Sequence, residues 1–399
     1  MKNTEKMQQL GKNRSAIREL FEYGKRRTAE IGAENVFDFS IGNPSVPAPA
    51  HLTEVMTDLL RNTDPVRLHG YTSAQGDIGV RRAIAESVGA ENGCPVDPDL
   101  IYMTCGAAAS LTISLHATVN PGDEVIVISP YFPEYRVFVE KAGAALVEVP
   151  AKKDTFRLDF DALEKAITTR TRAVIINSPN NPTGVILPPE EIAHLGQMLE
   201  CAETRYGSEI TLISDEPYKK LVYGNVPVSY VPAAYPRTLI CYSYSKALSL
   251  PGERIGYILV PPTMPNAADV YAAVCGAGRA LGFVCAPSLL QYTVAACVDD
   301  TADIAVYKTN RDLFLAGLRE IGYSVTEPDG AFYLFVKSPE PDAAAFAERA
   351  KKYELLLVPS DSFGVPGYVR ISYCVETDRI RRALPAFRAL WQSYADETR

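Results

Sequence analysis

The sequence predicts an α/β protein: a large domain built on a mainly parallel sheet, followed by a smaller α+β domain. Three observations carry that reading. Short apolar runs recur between helix-length amphipathic segments, the pattern of strands buried on both faces and covered by helices. The pattern changes after residue 286, where two long helical stretches precede further strands. At 399 residues the chain exceeds one small core, which favours two or three domains.

In chain order, residues 1–48 come first. A basic cluster there (Lys12, Arg14, Arg18, Lys25, Arg26, Arg27) is interleaved with Glu19 and Glu22 and reads as a solvated helix face. Pro44, Pro47 and Pro49 make a stiff crossing, so this segment is expected to form an arm packed on the small domain. The large domain is assigned to residues 49–286. Its apolar runs are 101–104, 125–129, 173–177, 210–214, 239–242 and 257–260. Each except the last leads into a polar segment containing Gly or Pro, and open parallel sheets place ligands at those strand ends. The small domain is assigned to residues 287–399. It opens with helices near 287–299 and 302–321, then alternates the strand 330–336, a helix near 342–353 and the strand 368–373. Neither repeats nor low-complexity tracts interrupt this order.

Composition narrows the function. A content of 47% hydrophobic and 22% charged residues fits a soluble globular enzyme, and a net charge of −8 argues against nucleic acid or an anionic membrane as partner. The first residues, Met1 to Lys6, lack the apolar core of a signal peptide, and no run approaches the length of a membrane span. The eight cysteines form no C-x-x-C pair and the four histidines no H-E-x-x-H motif, so no metal site is expected. A cytoplasmic protein is the expectation.

The chemistry gathers at the strand ends. Lys246 stands between small hydroxyl residues in Ser243-Tyr244-Ser245-Lys246, directly after an apolar run, with Arg254 eight positions on in a Pro-Gly turn. A buried ammonium needs a partner charge or a functional reason. The functional reading is an amine that forms a Schiff base with a carbonyl cofactor, with Ser243, Ser245 and Arg254 ready for a phosphate. Thr104 to Ser110, around Gly106, Ala107 and Ala108, joins a strand to a helix and lets a ligand approach free backbone N–H groups. Pro130 to Tyr135 offers three aromatics; packing accounts for two, and one remains to stack on a heteroaromatic ring. Asn177 to Gly184 is turn-rich, and the Asn181 amide can donate to a ligand oxygen. Asp215 ends a buried strand, where either a protonated pyridine nitrogen or a helix start would pair with it, and Tyr218 follows. Arg370 lies between apolar neighbours and calls for a carboxylate, structural or from a substrate. Gly276 to Gly282 mimics a dinucleotide loop, but its spacing is off and the preceding segment reads as helix.

Together these segments resemble the class I aminotransferases, pyridoxal 5'-phosphate (PLP) enzymes of fold type I, the aspartate aminotransferase-like group. The resemblance covers nearly the whole chain, and Ser243 to Gly256 matches the family's Schiff-base signature. It implies a PLP-dependent transferase fold and a homodimer with active sites at the subunit interface. It makes Lys246 the PLP lysine and proton carrier, and gives Asp215 the pyridine nitrogen. Tyr218 and Asn181 fall on the ring oxygen, and Phe132 on the ring face. Gly106, Ala107, Ala108, Ser243, Ser245 and Arg254 would hold the phosphate, with Tyr71 reaching the phosphate of the neighbouring subunit. Arg370, helped by Asn181 and the Gly42 backbone, would bind the substrate α-carboxylate.

The likeness departs from its pattern at Ala107-Ala108, where relatives often carry hydroxyl or charged side chains. A lysine that reads a side-chain carboxylate in one subgroup corresponds to Ala108, leaving Arg279 or Arg18 to take that part. The expected reaction moves an amino group between an L-amino acid and a 2-oxo acid, with aspartate and 2-oxoglutarate as one open pair. A C–S β-lyase of the same fold is the alternative. A PLP-fold regulatory protein is disfavoured because Gly42 comes too early for an added DNA-binding domain. A nicotinamide oxidoreductase would have to rest on Gly276 to Gly282.

Overall fold

The computed structural model describes residues 2–12 and 16–397; Arg14 of the basic cluster lies outside them. The two-residue strand β1 (Phe37–Asp38) comes first and pairs in parallel with β11 (Leu355–Leu356), tying the N-terminal segment to the small domain. The central sheet consists of β2 (Ile101–Thr104), β3 (Glu124–Ser129), β4 (Ala145–Pro150), β5 (Thr171–Asn177), β6 (Thr211–Asp215), β7 (Thr238–Ser243) and β8 (Gly256–Leu259). Their order across the sheet is β2-β8-β7-β6-β5-β3-β4. Only β8 runs antiparallel to its neighbours, so the sheet is mainly parallel, as expected.

Each predicted apolar run forms a strand because its residues are buried on both faces; every residue of β2, β6, β7 and β8 is buried. The sheet also contains β4, which the run pattern did not reveal. It lies at the edge, and Ala145, Glu148 and Pro150 are exposed, so it lacks a continuous apolar stretch. Gly276 falls within the helix Ala267–Leu281, and Gly282 is that helix's left-handed cap. The dinucleotide-loop likeness is therefore helix, as its alanine-rich lead-in indicated.

The small domain carries the antiparallel sheet β12-β13-β10-β9, formed by β9 (Val325–Thr326), β10 (Tyr333–Lys337), β12 (Val358–Pro359) and β13 (Tyr368–Ser372). Its core joins Phe314, Leu318, Phe332, Phe346, Ile371 and Phe387 with Phe39 and Val46 of the N-terminal segment. The first helix after the boundary expected at 287 packs on the preceding part of the chain. Helix Ser288–Ala296 packs on helices Ala50–Asn62 and Ile78–Asn92, and Leu290, Val294 and Cys297 belong to the core beside β2 and β8. After that helix the chain enters the core around Phe314 at Ala302, whose N–H bonds the Ala247 carbonyl at 2.7 Å. An apolar helical pattern fixes a helix but not the surface it covers. Among the described residues, no helix is long and apolar enough to cross a membrane.

Candidate active site

The carboxyl ends of β5, β6 and β7 meet the small domain at an open cleft of about 290 Å³. In-register pairing sets Asn177 beside Asp215 and Ser243 beside Gly256. The Asn177 side chain donates to the Asp215 carbonyl at 2.8 Å, and its oxygen accepts the Asn181 backbone N–H at 2.7 Å. One amide thus fixes both the strand end and the turn behind it.

Asp215 is 5% exposed. Its Oδ2 accepts the Tyr135 hydroxyl at 2.5 Å, while its buried Oδ1 has no partner. Burial pushes this carboxyl up to about 7; the Tyr135 hydrogen bond opposes the shift and Glu216 adds to it. It caps no helix. A buried carboxylate oxygen left unsatisfied costs on the order of 1–3 kcal/mol or more, so the site favours a donor brought from outside.

Lys246 stands on the short helix Tyr244–Ala247 that follows β7. Tyr244 and Ala247 turn into the core, which leaves Lys246 facing the cleft. Its Nζ donates to the Gly42 carbonyl at 2.7 Å and lies 5.2 Å from the Phe332 ring centre. Burial lowers the ammonium to about 8; Arg370 and Arg254 repel it further, while Cys374 opposes them. A neutral amine is therefore accessible near physiological pH.

Arg370, on β13, is 2% exposed. Its Nη1 donates to Asn181 Oδ1 at 3.1 Å and its Nη2 to the Ser40 carbonyl at 2.6 Å, while Nε is buried without a partner. The guanidinium carbon lies 4.5 Å from the Tyr333 ring centre. Among the described residues no Asp or Glu pairs with Arg370, so the structural-carboxylate alternative is not realised. Tyr333 also bonds the Tyr218 hydroxyl at 3.0 Å. A side chain at Gly42 would collide with the Tyr333 hydroxyl, which explains glycine at that position.

The opposite end of the cleft is built for an anion. Gly106 has φ +87° and precedes helix Ala107–Thr118, whose first N–H groups open toward the cleft. A Cβ at Gly106 would come within 2.8 Å of Arg254 Nη2. Arg254 itself is held at φ +54°, a strained backbone for a non-glycine residue. Ser243 and Ser245 are buried beside it, and Ser243 caps no helix with its side chain.

Of the residues singled out in the sequence, Gly42, Ala107, Ala108, Phe132, Asn181, Asp215, Tyr218, Ser243, Ser245, Lys246, Arg254 and Arg370 all line this cleft. Gly106 stands directly behind the lining. Tyr71 does not reach it, being 97% exposed, and neither Arg18 nor Arg279 is part of its wall. The neighbour of Arg18, Ile17, does line the cleft. Of the aromatics after β3, Phe132 faces the cleft, while Tyr131 and Tyr135 are buried in the core. Sequence reasoning missed Tyr333 and the hydrogen-bonding role of Tyr135. Nothing in the sequence marks Tyr333, because it opens an apolar strand whose pairing with the strand carrying Arg370 is long-range.

Comparison with known proteins gives the arrangement a lineage. A family model described as aminotransferase class I and II matches residues 34–387. The aspartate/prephenate aminotransferase of Thermus thermophilus is 32% identical, covering 87% of this chain and 88% of that one. Aromatic-amino-acid aminotransferase 2 of Thermococcus litoralis is 30% identical, covering 93% and 94%. The crystal structure of an amino transferase from Eubacterium rectale is 55% identical, with a TM-score of 0.96 over 98% of both chains. The chain therefore belongs to the class I and II aminotransferases, a family of enzymes that depend on PLP.

Proposed function

We propose that this cleft binds PLP and moves an amino group between an L-amino acid and a 2-oxo acid in two half-reactions. The observation that carries the reading is a convergence in one cleft. It brings together the lowered-pKa amine of Lys246, the unpartnered Oδ1 of Asp215, and a buried Arg370 without a carboxylate. The residues present fit the cofactor. Oδ1 of Asp215 lacks a donor, which a protonated ring nitrogen supplies. The space above Gly106, which a Cβ would fill, suits a phosphate facing Arg254, Ser243, Ser245 and the N–H groups of Ala107 and Ala108.

When bound, PLP supplies a ring that takes up the electron pair left as the substrate α-carbon loses its proton. Lys246 would hold the cofactor through Nζ, and its free amine would carry the proton to and from the substrate α-carbon. Tyr218 and Asn181 would donate to the ring oxygen, with the Tyr218 hydroxyl steadied by Tyr333. Phe132, which lines the cleft, would cover one ring face. Arg370 binds the α-carboxylate, held in place by Asn181 and Ser40, with Gly42 beside it.

Tyr71 is exposed and does not line its own cleft, which supports a homodimer in which it would complete the neighbour's phosphate site. Among the described residues, Ile17 and Leu111 add apolar surface to the cleft, and its lining cations are Lys246, Arg254 and Arg370. Aspartate and 2-oxoglutarate remain the proposed pair, with Arg18 or the neighbour's copy of Arg279 as reader of the second carboxylate. A half-reaction screen tests this: the loss of the lysine-bound cofactor's absorbance band is followed with each amino acid. Response to apolar donors and none to aspartate overturns the dicarboxylate reading. Pyruvate and ammonia release from cystathionine outpacing amino transfer to 2-oxoglutarate overturns the transferase reading in favour of a β-lyase.

A further inference from the structure

Among the described residues outside the cleft, one cluster sets three different metal-ligating side chains together. The ligand atoms of His51, Cys297 and Asp300 all lie within 4.8 Å of one another. Nδ1 of His51 is 2.6 Å from Oδ2 of Asp300 and 4.0 Å from Sγ of Cys297. Tetrahedral zinc, with bonds of about 2.0–2.3 Å to such donors, separates them by about 3.3–3.6 Å. The His51–Asp300 contact is shorter than that range and the His51–Cys297 spacing longer, so zinc would replace the proton shared by His51 and Asp300 and draw the Cys297 sulfur closer.

The three residues come from well-fixed backbone. His51 is on the first turn of helix Ala50–Asn62, and Cys297 ends helix Ser288–Ala296. Asp300 follows in a turn closed by its N–H on the Cys297 carbonyl at 3.1 Å. Cys297 is 1% exposed, whereas the side chains of His51 and Asp300 are 52% and 31% exposed. The thiol thus forms the floor of the cluster, and the other two donors stand between it and solvent. An exposed His–Asp pair would account for two of these residues. Core packing accounts for the burial of Cys297, but neither it nor the pair requires the thiol sulfur to stand 4.0 Å from the same nitrogen.

We propose that His51, Cys297 and Asp300 form a zinc site with its fourth position open to water. Thiolate, imidazole and carboxylate together suit Zn²⁺ rather than Mg²⁺ or Ca²⁺, which prefer all-oxygen shells. On binding, the Cys297 thiol gives its proton to solvent and ligates as thiolate; no electron changes hands. The ion would link two chain crossings. His51 follows the proline-rich passage into the large domain, and Asp300 precedes the passage out, two residues before Ala302 bonds the Ala247 carbonyl.

The test titrates the chelator-free holoenzyme with Zn²⁺ against a chromophoric chelator and reads stoichiometry and affinity. One Zn²⁺ per chain is expected. His51→Ala, Asp300→Asn and Cys297→Ser should each weaken it by at least roughly tenfold. Cys201→Ser, which removes an exposed thiol elsewhere, should leave it unchanged. Zinc-edge absorption should show one sulfur at about 2.3 Å with the remaining ligands nitrogen or oxygen. His51→Ala changes a half-exposed side chain, so a folding defect does not confuse its result. No stoichiometric zinc in the wild type, or binding insensitive to any one of the three substitutions, overturns the site.

Discussion

Replacing Asp215 by Asn should act in opposite directions on the apoprotein and the loaded enzyme. Without cofactor the wild-type carboxyl is buried, pushed up to about 7, and only one of its oxygens has a partner. Its value in the unfolded chain is near 3.8. Folding therefore favours the protonated form. The stability associated with that proton is complete below about pH 4 and is lost as pH rises through about 7. At 1.36 kcal/mol per tenfold, the full cost of ionising this group in place is about 4 kcal/mol, and about 2–3 kcal/mol of it appears between pH 5 and pH 8. Asn keeps the shape, still accepts from Tyr135, and never ionises. Urea unfolding of the two apoproteins, at equal protein concentration, should show the variant gaining on the wild type by about 2–3 kcal/mol between those pH values. Every other titrating group cancels in the difference. A stability gap that stays constant from pH 5 to pH 8 would refute the burial assigned to Asp215. The loaded variant, by contrast, should lose turnover by at least about a hundredfold, because the ring nitrogen has no anion to keep its proton.

Other substitutions and conditions probe the remaining groups. Lys246→Ala should abolish amino transfer while leaving the far-ultraviolet dichroism intact; substantial residual transfer sinks the assignment. The rate at which the apoprotein takes up PLP at Lys246 should rise about tenfold from pH 7 to pH 9, because the amine, lowered to about 8, must lose its proton before it can add to the carbonyl; a flat profile argues against that role. Arg370→Lys replaces a forked donor by a point charge and should lower kcat/KM by about 30- to 150-fold, from about 2–3 kcal/mol, with KM carrying most of the change. Tyr333→Phe removes the partner at 3.0 Å from the Tyr218 hydroxyl and should cost about 1 kcal/mol, read as a several-fold drop in kcat with a red or blue shift of the cofactor band.

How far the sequence reveals this molecule depends on what each residue faces. Strands β2, β3, β5, β6, β7 and β8 are legible because both of their faces are buried, which leaves uninterrupted apolar runs. The antiparallel direction of β8 is not legible, since an apolar run carries no sense of direction. Strand β4 is hidden by its exposed positions, and the two-residue strands β1, β9, β11 and β12 are too short to show any period. Lys246 and Asp215 stand out because ionisable groups at buried strand ends demand a reason. Tyr333 and Tyr135 do not stand out, because a tyrosine in an apolar neighbourhood is ordinary core. Their meaning comes from partners more than 70 residues away, on Tyr218 and Asp215. The docking of helix Ser288–Ala296 on the large domain is likewise a matter of which apolar face meets which.

Arg370 is held by Asn181 on one side and the Ser40 carbonyl on the other, and it is the buried guanidinium of the cleft. Amino donor and oxo-acid acceptor keep the same α-carboxylate, so under the proposed cycle one anchor must serve both halves of the exchange. That economy has a kinetic side effect. Each acid can settle on the form of the enzyme meant for the other, where it blocks the anchor without reacting. At high concentration, therefore, the two substrates should inhibit each other competitively, and the depth of that inhibition should track the strength of the Arg370 clamp.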